Sequence, residues 1–140
     1  MSKVAVVYWS GTGNTESMAN FVAEGAKEAG ADASIFTPTN FKATMVADYD
    51  AIAFGCSSMG DEVLEETEFE PLFVDCESGL KDKKIALFGS YGWGDGEWMR
   101  DWDERCKALG AVQVCEYVIC QEAPDDKAQA SCKSLGKALA

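Results

Sequence analysis

Five short apolar runs, each leading through a polar turn into a stretch of helical spacing, restrict this chain more than any other feature of its sequence. They are Val4-Ala5-Val6-Val7-Tyr8, Ala33-Ser34-Ile35-Phe36, Ala51-Ile52-Ala53-Phe54, Ile85-Ala86-Leu87-Phe88, and a fifth from Val112 to Cys120 with Glu116 as a point of interruption. Most are apolar without alternation, which suits parallel strands buried on both faces. The second is shorter and more polar, as an edge strand would be. Between the runs the period changes. Met18, Phe21, Val22, Gly25, Ala26 and Ala29 fall on one helical stripe, with Gly30 as a stop signal. Phe41 and Met45 suggest a brief helix introduced by Thr39 or Asn40. Residues 66–76 predict another, with Pro71 limiting how early its regular part begins. Trp98, Trp102, Cys106 and Leu109 form a stripe ending at Gly110, and Ala128, Cys132, Leu135 and Leu139 form the last. Alternating strand and helix predict an α/β fold, a doubly wound three-layer sandwich around a five-stranded parallel sheet. With 140 residues and no repeat, linker or low-complexity tract, residues 1–140 read as a single domain.

Sheets of this kind bind ligands beyond the C-terminal ends of their strands, where strand order reverses. The loops after the first, third and fourth runs are residues 9–15, 55–62 and 89–96. The first leads into a helix through Ser10, Gly11, Thr12, Gly13, Asn14 and Thr15. A helix N-terminus carries unpartnered N–H groups and partial positive charge, so this loop reads as an anion cradle. Gly11 and Gly13 let the backbone curl, and Ser10, Thr12, Asn14 and Thr15 add side-chain donors. The loop lacks the lysine with which a P-loop reaches a β- or γ-phosphate. Glu16 stands where a dinucleotide fingerprint needs its third glycine, and Thr37 and Pro38 stand where that motif needs an acid. One terminal phosphate is what remains.

The second loop, Gly55 to Glu62, offers Ser57 to the same phosphate, Ser58 to a sugar-like chain, and Met59 as a soft thioether for an aromatic face. The third loop, Gly89-Ser90-Tyr91-Gly92-Trp93-Gly94-Asp95-Gly96, alternates glycines with large aromatics. On that composition it is expected to be neither strand nor helix, and to expose Tyr91 and Trp93 on a flexible frame for a flat ligand. One phosphate, a polyhydroxy linker and a flat ring together describe flavin mononucleotide (FMN).

From residue 3 onward the chain resembles the short-chain flavodoxins, and the clostridial type especially. The resemblance is carried by Ser58-Met59-Gly60-Asp61-Glu62-Val63-Leu64-Glu65-Glu66 and by Leu87-Phe88 followed by the whole third loop. It implies strand order 2-1-3-4-5 with FMN between the first and third strands, an order taken from the family and not from the spacing of the runs. It also implies that residues 10–15 hold the FMN phosphate with Ser57 assisting. Trp93 would stack on the outer face of the ring and Met59 on the inner face. Glu62 would accept from flavin N3–H, and backbone amides near Gly89 to Gly92 would meet the pyrimidine carbonyls. Ser58, Ser90, Tyr91, Gly94 and Asp95 complete the expected cofactor contacts. On reduction the Gly60–Asp61 peptide would flip so that the Gly60 carbonyl accepts from N5–H. That flip has its own physical logic, because N5 changes from acceptor to donor and one net hydrogen bond is worth roughly 0.5–1.5 kcal/mol.

The chain has 12 basic and 24 acidic residues, a net charge of −12 and no histidine. Nucleic acid and an anionic membrane surface are therefore unsuitable, and basic surfaces of redox partners (reductases and electron-accepting oxidoreductases) are suitable. Asp61, Glu62, Glu65, Glu66, Glu68 and Glu70 form one acidic cluster with no base among them. Asp95, Glu97, Asp101, Asp103 and Glu104 form a second, with Arg100 as its only cation. A carboxylate ~8 Å from an anionic reduced flavin costs roughly 2 kcal/mol at an effective dielectric of ~20. The expectation is a monomeric, low-potential one-electron carrier that shuttles mainly between neutral semiquinone and anionic hydroquinone. Two alternatives stand beside it. One is an FMN-dependent NAD(P)H:quinone reductase-like enzyme, for which no nicotinamide domain and no His or Arg cluster is evident. The other is a non-redox phosphate-binding domain, in which the Tyr91/Trp93 loop has no role. The six cysteines show no Cys-x-x-Cys spacing, so they are expected to be small buried hydrophobes in a reducing compartment, with no metal bound. No apolar run approaches a membrane span and the N-terminus lacks signal-peptide features, so the expected location is cytoplasmic.

Overall fold

A computed structural model describes residues 2–59, 63–92 and 94–140. In chain order it contains β1 (Lys3–Trp9), α1 (Asn14–Glu28), β2 (Asp32–Phe36), a 3₁₀ turn (Ala43–Asp48), β3 (Ala51–Cys56), α2 (Phe69–Cys76), a second 3₁₀ turn (Glu77–Gly79) and β4 (Lys84–Tyr91). The chain continues through α3 (Glu97–Ala108), β5 (Val112–Gln113), β6 (Val118–Gln121) and α4 (Asp126–Leu139). All pairings between these strands are parallel and the order is β2-β1-β3-β4-β5, as the resemblance implied. The register places Trp9 beside Cys56 and Gly55 beside Phe88, which levels the C-terminal ends of the central strands.

The fifth run is two pieces instead of one strand. β5 lies beside Lys84 and Ile85, β6 lies beside Phe88 to Tyr91, and exposed Glu116 falls in the gap between them. The outer edge of the sheet tolerates this break because no further strand among the described residues needs its ladder groups.

Along β1, Ala5 and Val7 turn to one face while Val4, Val6 and Tyr8 turn to the other. The first face packs on α2 and α3 through Phe69, Leu72, Phe73, Trp98, Trp102 and Cys106. The second packs on α1 and α4 through Met18, Val22, Ala26, Cys132 and Leu135. This is the three-layer sandwich, with apolar burial on both faces as its main driving force. α1 and α4 approach closely enough that a Cβ on Gly136 would stand 2.0 Å from the Val22 carbonyl oxygen.

Several local expectations shift by a few residues. α2 begins at Phe69, not at 66, and Pro71 sits in its first turn, where a missing N–H costs no helical bond. The turn after Phe41 is 3₁₀ and starts at Ala43. Phe21 is only half-buried, and Ala29 is exposed because α1 ends at Glu28. All six cysteines are free thiols; Cys56, Cys76, Cys106 and Cys132 are buried, whereas Cys115 and Cys120 are half-buried. Among the described residues no helix is long and apolar enough to cross a membrane.

Candidate functional site

The loop after β1 ends on Gly13, which caps α1 with φ +95°, a left-handed backbone that favours glycine. Gly13 has no side chain with which to cap this helix and no capping side chain is found among the described residues, so its first-turn N–H groups are available to an anion. Gly13 N–H donates to Ser10 Oγ (3.1 Å), which leaves the Ser10 hydroxyl proton free to point elsewhere. Gly11 differs from Gly13 in what a side chain there would meet. Its φ is not in the left-handed region, but a Cβ there would meet the Trp9 ring at 3.0 Å. The half-buried indole lies over the loop and holds it down.

Thr15 is fully buried and forms a node between three strand ends. Its Oγ1 is 2.7 Å from Ser57 Oγ and accepts from Ser90 N–H at 3.3 Å. The sequence had marked Thr15 only as a phosphate donor. Ser58 N–H donates to the Ser90 carbonyl (3.0 Å), which carries the pairing of the second and third loops beyond β3. Exposed Met59 then exchanges two 2.9 Å backbone hydrogen bonds with exposed Val63. Gly60, Asp61 and Glu62, and likewise Trp93, lie outside the described residues.

The third loop corrects the expectation most. β4 continues through Gly89 and Ser90 to Tyr91, where neither strand nor helix was expected. Pairing with β6 sustains it, and glycine is required at 89 because a Cβ would stand 2.3 Å from the Cys56 carbonyl oxygen. Ser90 is buried, and its hydroxyl donates to the Glu122 carbonyl (2.6 Å). Tyr91 is half-buried against Trp98, with ring centroids 5.6 Å apart, so it is not on a loose frame. Beyond it, Gln121 Nε2 donates to the Gly92 carbonyl (3.2 Å). Gly94 has φ +86°, and exposed Asp95 pairs with Arg100 (3.0 Å).

Together these segments line a cavity of about 380 Å³. Gly11, Thr12 and Asn14 form one end, Ser57, Ser58 and Met59 one wall, and Ser90, Tyr91 and Gly92 the other. Glu122 completes the lining and was missed by the sequence reading. It follows the fifth run directly, and the loop after that strand opens on the same sheet edge as the other three. That position was the available signal. Glu122 adopts φ +61°, fixed by its N–H donating to the Tyr91 carbonyl (2.9 Å).

A second groove of about 410 Å³ lies across the first loop, between Trp9, Thr37, Pro38, Glu16 and Glu68. Tyr8 donates to Glu16 Oε2 there (2.9 Å), and burial together with that bond pushes the phenol above its ordinary pKa. Two carboxylates make this groove unfavourable for a phosphate. The cavity on the Ser57 side, with hydroxyl and amide donors, suits one.

The acidic clusters are also less uniform than their sequence suggests. Glu65 is buried, and its carboxylate accepts from Thr67 N–H (2.7 Å), the Thr67 hydroxyl, Glu68 N–H (2.7 Å) and Phe69 N–H (3.0 Å). Burial raises its pKa, but these hydrogen bonds outweigh burial and hold it below its ordinary value. Glu70 receives a bidentate clasp from Arg105 (2.7 and 2.8 Å), which also reaches Glu77 (3.1 Å). The first cluster therefore does have a base, supplied by α3. In the second cluster Lys107 pairs with Asp103 at 3.0 Å. Glu66 and Glu68 remain exposed, without an ion-pair partner among the described residues.

A flavodoxin family model matches residues 6–136 of the chain. Flavodoxin of Clostridium beijerinckii is 47% identical over 135 residues, which is 96% of this chain and 97% of that protein. Flavodoxin of Megasphaera elsdenii is 47% identical over 137 residues, 98% of each chain. The solution structure of two-electron reduced Megasphaera elsdenii flavodoxin superposes with a TM-score of 0.89 at 46% identity, covering 97% of both chains.

Proposed function

The chain belongs to the flavodoxin family, and from that membership we propose a low-potential one-electron carrier that passes electrons to the basic surfaces of partner oxidoreductases. It is an FMN-binding electron-transfer protein without substrate turnover of its own. The finer reading is a cytoplasmic monomer that shuttles mainly between the one-electron-reduced and fully reduced states.

The observation that carries this reading is the shape of the cavity. An uncapped helix N-terminus lies at one end, hydroxyls of Ser57 and Ser58 follow, and Met59 and Tyr91 lie beyond them. That sequence of donors, polar wall and apolar flank fits a phosphate, a ribityl chain and a flat ring. When bound, FMN supplies a ring that takes up one or two electrons. Ser10, Thr12 and Asn14 are assigned to the phosphate end, with Gly11 and Gly13 shaping the cradle. Thr15 holds Ser57 in place and bonds to the Ser90 amide instead of standing free as a donor. Tyr91 is backed by Trp98 and closes the third side. Roles for Gly60, Glu62 and Trp93 at the ring rest on the family resemblance alone.

Glu66 and Glu68 place exposed negative charge beyond the Met59–Val63 bridge, and negative charge near the ring disfavours a second electron. Apo-protein reconstituted with FMN and reduced stepwise under argon should pass through a blue intermediate in its visible spectrum before bleaching. Direct two-electron bleaching by NAD(P)H would favour the reductase alternative. A protein that takes up no flavin would remove both.

A further inference from the structure

The first loop separates two hollows. Thr12 and Asn14 line the cofactor cavity, Ser10 and Gly13 line the groove of about 410 Å³ beside it, and Gly11 lines both. The partition is therefore a single turn of backbone. On the groove side, Tyr8 donates to Glu16 Oε2 (2.9 Å) and fixes that carboxylate at the start of α1. Glu68, the N-cap residue of α2, lines the same groove, and its side chain makes no cap hydrogen bond. Buried Pro38 and the half-buried Trp9 indole add apolar surface. Among the described residues neither Glu16 nor Glu68 has an ion-pair partner. A place in the first turn of α1 accounts for one acid. It does not account for a second, from another helix, in the same groove as an indole.

Residues 9–15 contain no Lys or Arg, so a phosphate held there meets backbone and hydroxyl donors but no counter-charge from the loop. The groove can supply one by proxy. Its chemistry selects the kind of cation. Among the described residues no group of three or more His, Cys, Asp or Glu side chains could hold a metal ion. An alkylguanidinium matches every part of the lining. Its planar fork donates to carboxylates, its face stacks on an indole, and its methylene stem lies on apolar surface. An ammonium group brings a point charge with no plane to stack.

We propose that the groove between Trp9, Glu16, Pro38 and Glu68 receives an arginine side chain of a basic redox partner, and that the guanidinium held there sets positive charge against the far side of the phosphate loop. The partner and the phosphate rest on the carrier reading above, whereas the groove itself is complete in the apo-protein. Cation and phosphate then favour each other across Gly11, and by linkage each tightens the binding of the other by the same factor.

The probe is Nα-acetylarginine N-methylamide, titrated into isotope-labelled protein at about 0.1 M ionic strength, where charges beyond about 10 Å are screened. In the apo-protein, saturable nuclear magnetic resonance shifts are expected at the Trp9 indole N–H and at the Gly11 and Glu68 amides. The neutral citrulline analogue should produce none. Glu16→Gln keeps an acceptor for Tyr8. It and Glu68→Gln should each weaken the probe by roughly two- to fivefold, the value of one exposed charge pair. Glu66→Gln removes the same charge from outside the groove and should weaken the probe less than either. Loading with FMN should tighten the probe by about twofold, as one added charge does through a water-like dielectric. With cytochrome c as a basic electron acceptor, Glu16→Gln should slow its reduction by the loaded protein more than Glu66→Gln does. The proposal is overturned if Glu66→Gln matches the groove variants, since a diffuse negative field would then suffice. Equal shifts at Trp9 from calcium chloride at the same ionic strength overturn it too, because the groove would then serve inorganic cations. Equal affinity with and without FMN overturns the link to the phosphate loop. A wild-type apo-protein that binds the arginine probe but takes up no FMN would instead overturn the reading of the cofactor site.

Discussion

At Gly89 an added Cβ would stand 2.3 Å from the Cys56 carbonyl oxygen and 3.1 Å from the Trp98 ring, neither of which is the far end of a flexible side chain. Gly89→Ala should therefore push β4 from β3 and cost about 1–3 kcal/mol, as overpacking of a dense interior does. At Gly13 the same methyl group would meet nothing within 4 Å, and the cost of Gly13→Ala is confined to its left-handed backbone, roughly 1–2 kcal/mol. Urea denaturation of the two apo-proteins checks both. Only Gly89→Ala should also perturb the near-ultraviolet signal of Trp98, and an unchanged signal would mean that the strands relax around it. Sequence reasoning treated these glycines alike, as loop residues, because composition does not tell a positive φ from a close approach. The same limit hid the different role of Gly11, which depends on where the Trp9 ring folds. That Thr12, Asn14, Ser57 and Met59 line one cavity was legible because strand-to-helix loops at one sheet edge dictate their neighbourhood, whereas Ser10 lines the neighbouring groove instead. Glu122 was legible only from its place just after the fifth run, since nothing in its flanking residues announces that it joins a cavity wall.

Elements were legible wherever a single period governed them, as along α4, where Ala128, Cys132, Leu135 and Leu139 are all buried. They were not legible where pairing overrides composition. Gly89-Ser90-Tyr91 reads as a loop and is a strand, because β6 satisfies its ladder groups from across the sheet. α2 shows the opposite case, an element whose start is fixed by a residue outside it. The Glu65 carboxyl has a folded pKa below its ordinary value, so it stabilises the fold fully above its unfolded pKa. That contribution is lost as pH falls below about 4.3 and on through the folded pKa. Its neighbours are the Cys56 thiol, which burial raises well above the usual range, and Glu70, held by Arg105. Above pH 6 the wild type should exceed Glu65→Gln in stability by about 1–2 kcal/mol, the usual value of a helix cap. The two curves should approach each other as the solution is acidified, since the remaining carboxylates are common to both and cancel. Parallel curves down to pH 3 would show that the Glu65 charge contributes nothing to the cap.

Over the whole molecule the net charge of −12 is unevenly neutralised. On the face formed by α1 and α4, Lys133 pairs with Glu24 (3.0 Å) and Lys137 with Glu28 (3.6 Å). On the opposite face Arg105 absorbs Glu70 and Glu77, and Lys107 absorbs Asp103. Among the described residues, the exposed acids left without ion-pair partners include Glu66 and Glu68, which follow the second loop into the start of α2. The field outside the cavity is therefore negative, and a reactant approaching that edge meets it first. At 0.1 M ionic strength charges are screened over about 10 Å, and at 0.01 M over about 30 Å, so a salt series varies the reach of this field without touching the fold. Oxidation of the fully reduced, FMN-loaded protein by two small reagents of opposite charge makes the test. The rate with hexaammineruthenium(III), a cation, should fall several-fold between 0.01 and 0.5 M salt, because attraction is being screened. The rate with ferricyanide, an anion, should rise over the same range, because repulsion is being screened. The sign of each slope reports the field at the point of transfer, and net charge far from that point contributes little once the screening length is short. Neutralising Glu66 and Glu68 together to Gln should flatten both slopes, while neutralising Glu24 and Glu28 on the far face should leave the high-salt part of both unchanged. Identical slopes for the two reagents would show that electrons leave through a neutral part of the surface, and the acidic rim would then have no role in choosing partners.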